Sequence, residues 1–189
     1  MIYHTYVNGI IGKLGKGKTL SSVALAWISK FKFNVKIITN MKSLTFTDYY
    51  IHDITELPVL KEKLSLDYRY LFLIDELSVL LDSRRGMVKE NIKKTHELLQ
   101  LRKLNTSFLY TVQQAGMIDV RVREITDNYY LPYFYESKNY ILLEKIEIGN
   151  MNMIRHTGIF TKKINNIDKF YKFYDTHETF YNDDEDNNL

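Results

Sequence analysis

An α/β fold with a mainly parallel central sheet flanked by helices is what this sequence predicts, and three observations carry the expectation. The run Tyr70-Leu71-Phe72-Leu73-Ile74 is continuously apolar, as a strand covered on both faces requires. Helical and extended patterns alternate along the first two thirds of the chain, the signature of parallel strands joined by crossover helices. Near the start, Gly12-Lys13-Leu14-Gly15-Lys16-Gly17-Lys18-Thr19 spells G-x-x-x-x-G-K-T between an apolar run and a helix-forming segment. That is a strand, a tight loop and a helix in succession.

The elements follow in order. Residues 6–11 read as a strand and 19–31 as the helix after the glycine-rich loop. Residues 35–39 form a short buried strand ended by Asn40, whereas 42–52 are polar and aromatic without a clear period. From Asp53 a helix is expected, with Leu57, Leu60 and Leu64 on one face. Residues 87–104 suit a long amphipathic helix carrying Ile92, His96, Leu99 and Lys103 at helical spacing. A strand over 107–112 follows directly. Beyond Asn128 the segments 129–135, 140–148 and 153–161 are rich in aromatic and β-branched residues and are separated by turn-forming clusters. They are expected as antiparallel strands added at the edge of the sheet. No linker or repeat divides the chain, so residues 1–180 are expected as one domain and 181–189 as an acidic, disordered tail.

Composition narrows the class. The 189 residues suit one full-sized core. No cysteine is present, which excludes disulfides, a thiol nucleophile and cysteine-held zinc. The five histidines lack metal-ligand spacing. No apolar window reaches the length of a membrane span, and the start lacks the pattern of a signal peptide, so a cytoplasmic location is expected. The net charge is +3, and without the four carboxylates of Asp183-Asp184-Glu185-Asp186 the body carries +7. Such a body is compatible with a nucleic-acid partner without demanding one.

The eight-residue motif is the phosphate-binding P-loop. Its glycines let the backbone wrap a polyphosphate, with N–H groups pointing inward. Gly12, Lys13, Leu14, Gly15, Lys16, Gly17, Lys18, Thr19 and the following Leu20 are therefore the candidate residues for binding ATP. Lys18 reaches the β- and γ-phosphates, and the Thr19 hydroxyl is a ligand for Mg²⁺. With glycine at about 7% of average sequence, the four fixed positions recur by chance on the order of once in a hundred such chains or less.

The second half of the site lies at Asp75-Glu76, which closes the most apolar strand. An aspartate there holds Mg²⁺ in enzymes with a P-loop. The adjacent Glu76 is placed to deprotonate the attacking water. The strand over 107–112 delivers Gln113-Gln114 to the carboxyl edge of the sheet, where ligands bind in open α/β folds. Gln113 can there hydrogen-bond the γ-phosphate and the water together.

With these residues in place the chain resembles the FtsK–HerA superfamily of P-loop motors, closest to zonula-occludens-toxin-like proteins and archaeal virus genome-packaging ATPases. The resemblance rests on 12–19, Ile38-Thr39-Asn40, Leu73-Ile74-Asp75-Glu76, Leu101-Arg102-Lys103, Tyr110-Thr111-Val112-Gln113, Ile118-Asp119-Val120-Arg121 and Tyr174-Asp175-Thr176. It implies an additional-strand, RecA/FtsK-like ATPase sheet, a ring oligomer (often a hexamer) and translocation of DNA. It assigns Gln113 the γ-phosphate sensor role. It also implies an arginine finger from a neighbouring subunit, with Arg102 the first candidate and Arg84, Arg85, Arg121 and Arg123 its rivals.

Two departures shape the expectation. No transmembrane helix follows the ATPase region, which favours a packaging or transfer motor over a membrane extrusion motor. A capsid or virion membrane protein would be its docking partner, and the host cytoplasm or the virion its location. No DNA-reading domain accompanies it, so DNA contact would be made to phosphates without regard to sequence. Arg84, Arg85, Lys89, Lys93 and Lys94 are the candidates. The alternatives are a virion-assembly ATPase that does not move DNA, and a small P-loop kinase. A kinase needs no water-activating Glu76.

Overall fold

The computed structural model describes residues 6–81, 89–101, 106–149 and 153–176. Strand β1 (Val7–Ile11) runs into the glycine-rich loop and helix α1 (Lys18–Phe33), which Asn34 ends in a left-handed conformation. Strands β2 (Lys36–Thr39) and β3 (Tyr49–Tyr50) follow. A 3₁₀ turn (Ile54–Glu56) then leads into α2 (Leu57–Lys63). Next come β4 (Tyr70–Ile74), α3 (Leu77–Leu80), α4 (Lys89–Leu101), β5 (Thr106–Val112) and α5 (Val120–Glu124). The chain closes with β6 (Asn128–Tyr135), β7 (Tyr140–Ile148), β8 (Ile154–Asn165) and a 3₁₀ segment, Ile167–Phe173.

All eight strands form one sheet in the order β3-β2-β4-β5-β1-β6-β7-β8. The pairings from β3 through β6 are parallel, and β6–β7 and β7–β8 are antiparallel. The expected α/β sheet with antiparallel strands near its C-terminal end is therefore the one observed. One detail differs. Residues 129–135 were expected among the antiparallel strands; β6 does pair antiparallel with β7, but it lies parallel to β1 on its other side, and β7 is the strand that runs against the rest. Aromatic and β-branched content marks a strand without encoding its direction; the α5 crossover decides it here.

Strand side chains alternate between two buried layers. Ile10, Ile37, Leu71, Leu73 and Leu109 pack beneath α1 and the C-terminal 3₁₀ segment. Ile38, Phe72, Ile74, Phe108 and Tyr110 pack beneath α2, α4 and α5. Gly9 is required by close approach, since a Cβ there would stand 2.8 Å from the Tyr110 ring.

The helix begun at Asp53 starts as a 3₁₀ turn with a capping box, in which the Asp53 carboxylate accepts from Thr55 N and Glu56 reaches back to Asp53 N. Leu57 and Leu60 face the core as expected. The stripe assigned to the long helix needs correction: Ile92 and His96 are exposed, and Thr95 and Leu98 turn inward. The side chains of Leu99 and Lys103 fall outside the described residues. Tertiary pairing sets that rotation, because Lys94 Nζ donates to Asp53 at 2.8 Å and Lys61 Nζ to Glu97 at 2.6 Å. The acidic tail also lies outside the described residues.

Candidate functional site

Parallel pairing brings four strand ends to one edge. Register pairs Ile11 with Val112, Ile74 with Tyr110 and Thr39 with Leu73. The residues just beyond these ends are Gly12, Asp75, Gln113 and Asn40.

The loop between β1 and α1 turns through Gly15 at φ 73° and Gly17 at φ 80°, a region L side chains rarely enter. Gly17 caps α1, so the amino end of a sixteen-residue helix points at the loop, and its dipole favours an anion there. Lys18 is buried and its Nζ donates back to the Lys13 carbonyl at 3.4 Å. Lys13, Leu14, Gly15 and Lys16 are exposed around the loop, and Leu20 is buried beneath it.

Across from the loop, the Thr19 hydroxyl lies 3.1 and 3.0 Å from the two carboxylate oxygens of Asp75. Asp75 is buried, which pushes its carboxyl above the ordinary value; bonds from Thr111 and Thr19 oppose that rise. Two further residues hold it in place. Asn40 pairs with the Asp75 backbone in both directions, its amide donating to Asp75 O and its oxygen accepting from Asp75 N, each at 2.9 Å. Thr111 donates its hydroxyl to Asp75 Oδ1 at 2.6 Å and accepts Glu76 N–H at 2.8 Å.

Glu76 adopts φ 48°, ψ 66°, a left-handed conformation that costs a non-glycine residue about 1 kcal/mol. Backbone strain of this kind gathers at working sites. Its carboxylate accepts from the Ser78 hydroxyl at 2.5 Å and is partly exposed at the same edge.

The arrangement suits a small, hard divalent cation. An octahedral Mg²⁺ with ligands at about 2.1 Å has neighbouring ligand oxygens about 3 Å apart, and the Thr19 and Asp75 oxygens stand 3.0–3.1 Å apart. Among the described residues no three His, Cys, Asp or Glu side chains gather to cage a metal. A cation here would therefore take its other ligands from phosphate and water, as Mg²⁺ does.

Two clefts flank the loop. One of about 250 Å³ is lined by Gly15, Gly17, Lys18, Thr19 and Asp75, and closed by Phe134, Tyr171 and Tyr174–Thr176. The other, about 810 Å³, runs past Lys13 and Lys16 between Gln113 and the aromatic end of β6. Gln113 is exposed and faces this second cleft.

Of the sequence candidates, Lys18, Thr19 and Asp75 line one cleft and Gln113 the other, and the basic residues divide further. Arg102, Arg84 and Arg85 lie outside the described residues. Arg121 is engaged within its own chain, donating from Nε and Nη2 to Asp119 at 2.8 and 2.5 Å. Lys94 is tied to Asp53, whereas Lys89 and Lys93 are exposed. Thr111, Asn40 and the C-terminal segment were not anticipated as site residues. The strand ends that contain them were visible as short motifs, but their partners lie on other strands.

These strand ends, loop and sheet order define a P-loop NTPase fold. Solved structures of that fold superpose on the chain. The N-terminal domain of zonular occludens toxin from Neisseria meningitidis matches with a TM-score of 0.57 at 19% identity, over 90% of this chain and 100% of that domain. The genome-packaging NTPase B204 of Sulfolobus turreted icosahedral virus 2, in complex with ATP-gammaS, matches at 0.52 and 13% identity, over 82% and 98%. A DnaB-like replicative helicase matches at 0.54 and 11% identity, over 79% of this chain and 56% of the helicase. At these identities the likeness is one of fold. No family model and no curated protein matches the sequence. No helix among the described residues is long and apolar enough to cross a membrane.

Proposed function

We propose that this chain is an ATP-hydrolysing motor that acts on DNA as a ring oligomer, with viral genome packaging or DNA transfer as its task. The contact between Thr19 and Asp75 carries the reading, because it joins a phosphate loop to a buried carboxylate at the spacing of two cation ligands. ATP binds through Gly12–Leu20, with Lys18 on the β- and γ-phosphates. Thr19 and Asp75 would hold Mg²⁺, which neutralises charge on the phosphate oxygens when bound. Glu76 takes the proton of the attacking water, whose oxygen bonds to the γ-phosphorus as the bond to the β-phosphate oxygen breaks. Gln113 senses the γ-phosphate from the end of β5. A neighbouring subunit supplies the arginine finger, with Arg102 first among the candidates.

The packaging NTPase and the replicative helicase among the structural neighbours support the motor reading. The zonular occludens toxin domain favours a second one, a virion-assembly ATPase that does not move DNA. Phosphate release by the purified chain, with and without double-stranded DNA at low salt, separates them. Strong stimulation by DNA supports the motor. Hydrolysis indifferent to DNA supports the assembly ATPase. Absence of hydrolysis in both conditions, at protein concentrations that allow assembly, counts against either.

A further inference from the structure

The smaller cleft has a wall that phosphate binding does not explain. Beyond Gly17–Leu20 it is closed by Phe134 from β6 and by the segment that carries Tyr171 and Tyr174–Thr176. At 250 Å³ it sits just below the usual span of small-molecule sites, about 300–1,000 Å³. Because Gly15, Lys18, Thr19 and Asp75 also line it, phosphates and whatever they carry share this volume, which suits a small molecule and not a macromolecule.

The segment is anchored by core packing and by its backbone. Ile167 and Phe170 are buried against α1. Trp27 meets the Phe170 and Phe173 rings at 5.9 and 6.5 Å, and Phe46 meets Phe173 at 5.5 Å. Its backbone is tied by Thr45 N donating to Phe173 O and Asp175 N donating to Ser43 Oγ, both at 3.0 Å. Core packing accounts for Phe170, Phe173 and Trp27. It does not account for Tyr171, which is 41% exposed and yet lines the cleft. A large ring held at a cleft mouth by a rigid support is a stacking surface whose ordering cost has already been met by folding.

We propose that the Tyr171 ring, together with Phe134, forms the slot for the base of the bound nucleotide, so that the C-terminal segment recognises the nucleoside and the loop recognises the phosphates. This assignment rests on the phosphate role of Gly12–Thr19. The cleft that contains Gly17, Lys18 and Thr19 also contains Phe134 and Tyr171, so it offers those two rings to a base attached to phosphates on the loop. Stacking is tolerant of base identity, so the slot distinguishes a nucleotide from bare polyphosphate more than one purine from another.

Calorimetric titration of the whole chain with ADP and with tripolyphosphate, both with Mg²⁺, tests the division of labour. Tyr171→Ala is expected to weaken ADP tenfold or more and to leave tripolyphosphate unchanged, which also shows that the variant is folded. Tyr171→Phe keeps the ring and is expected to bind ADP as the parent does. Unchanged ADP affinity in Tyr171→Ala overturns the slot, and so does an equal loss of both ligands. A parent chain that does not hold tripolyphosphate, or holds it equally well as Lys18→Ala, overturns the phosphate site itself and the slot with it.

Discussion

Thr111 performs two tasks with one hydroxyl, donating to Asp75 and accepting from the backbone of Glu76. It thereby couples the buried carboxylate to the strained residue beside it. Thr111→Val conserves the shape and leaves a buried carboxylate oxygen and a backbone N–H without that partner, at a cost of about 2 kcal/mol. We expect a lower urea midpoint and at least a tenfold loss of hydrolysis, with Thr111→Ser close to the parent in both. Glu76→Gln removes the carboxylate proposed as the base but keeps the bulk. Turnover should fall about 10²–10³-fold while ATP stays bound after gel filtration; persistent turnover removes Glu76 from that role. Gly9 is a packing residue. Gly9→Ala forces its methyl against the Tyr110 ring, which is fully buried and hydrogen-bonded to Thr126 at 2.8 Å. Thermal unfolding should show about 1–3 kcal/mol of lost stability from this overpacking.

At the scale of elements, the antiparallel end of the sheet is held by a buried charge. Glu144 on β7 accepts from Tyr133 OH on β6 at 2.7 Å and from Gly158 N on β8 at 2.9 Å, and pairs with His156 at 3.0 Å. Burial opposes its ionisation, but these bonds outweigh that, and its carboxyl is held down from 4.5 to about 2. A depressed carboxyl contributes stability that is present above its unfolded value and lost as pH falls through its folded one. The contribution of Glu144 is therefore expected to disappear between pH 4.5 and about 2. Asp48 and Asp53, lowered by Lys30 and Lys94 against their own burial, act in the same direction. Comparing the melting temperature of the parent with that of Glu144→Gln across this range isolates the one group. The gap between them should narrow as pH falls, and a constant gap would show that the carboxylate charge is not what joins the three strands.

At the scale of the whole molecule, the proposed arginine finger from a neighbour would make hydrolysis a property of the ring, so specific activity should fall when the protein is diluted below its association range. DNA bound through phosphates should stimulate at low salt and lose its effect steeply as salt rises, because counterion release is what drives such binding. A DNA effect insensitive to salt would contradict phosphate contact by residues such as the exposed Lys89 and Lys93.

What the sequence determined alone is the contiguous part. The loop of 12–19, the Asp75-Glu76 pair and Gln113 each sit at the end of an apolar run, and a strand's end is local information. The fold class follows from the same periodicities. What only the tertiary structure decided depends on which strand lies beside which. Thr111 reaches Asp75 because β4 and β5 pair with Ile74 opposite Tyr110, and Asn40 reaches it because β2 lies on the other side of β4. The direction of β6, the inward face of α4 and the return of Tyr171 to the loop are of the same kind. A composition or a two-residue period gives a strand its faces but not its neighbour or its direction, and those come from long-range packing across the sheet.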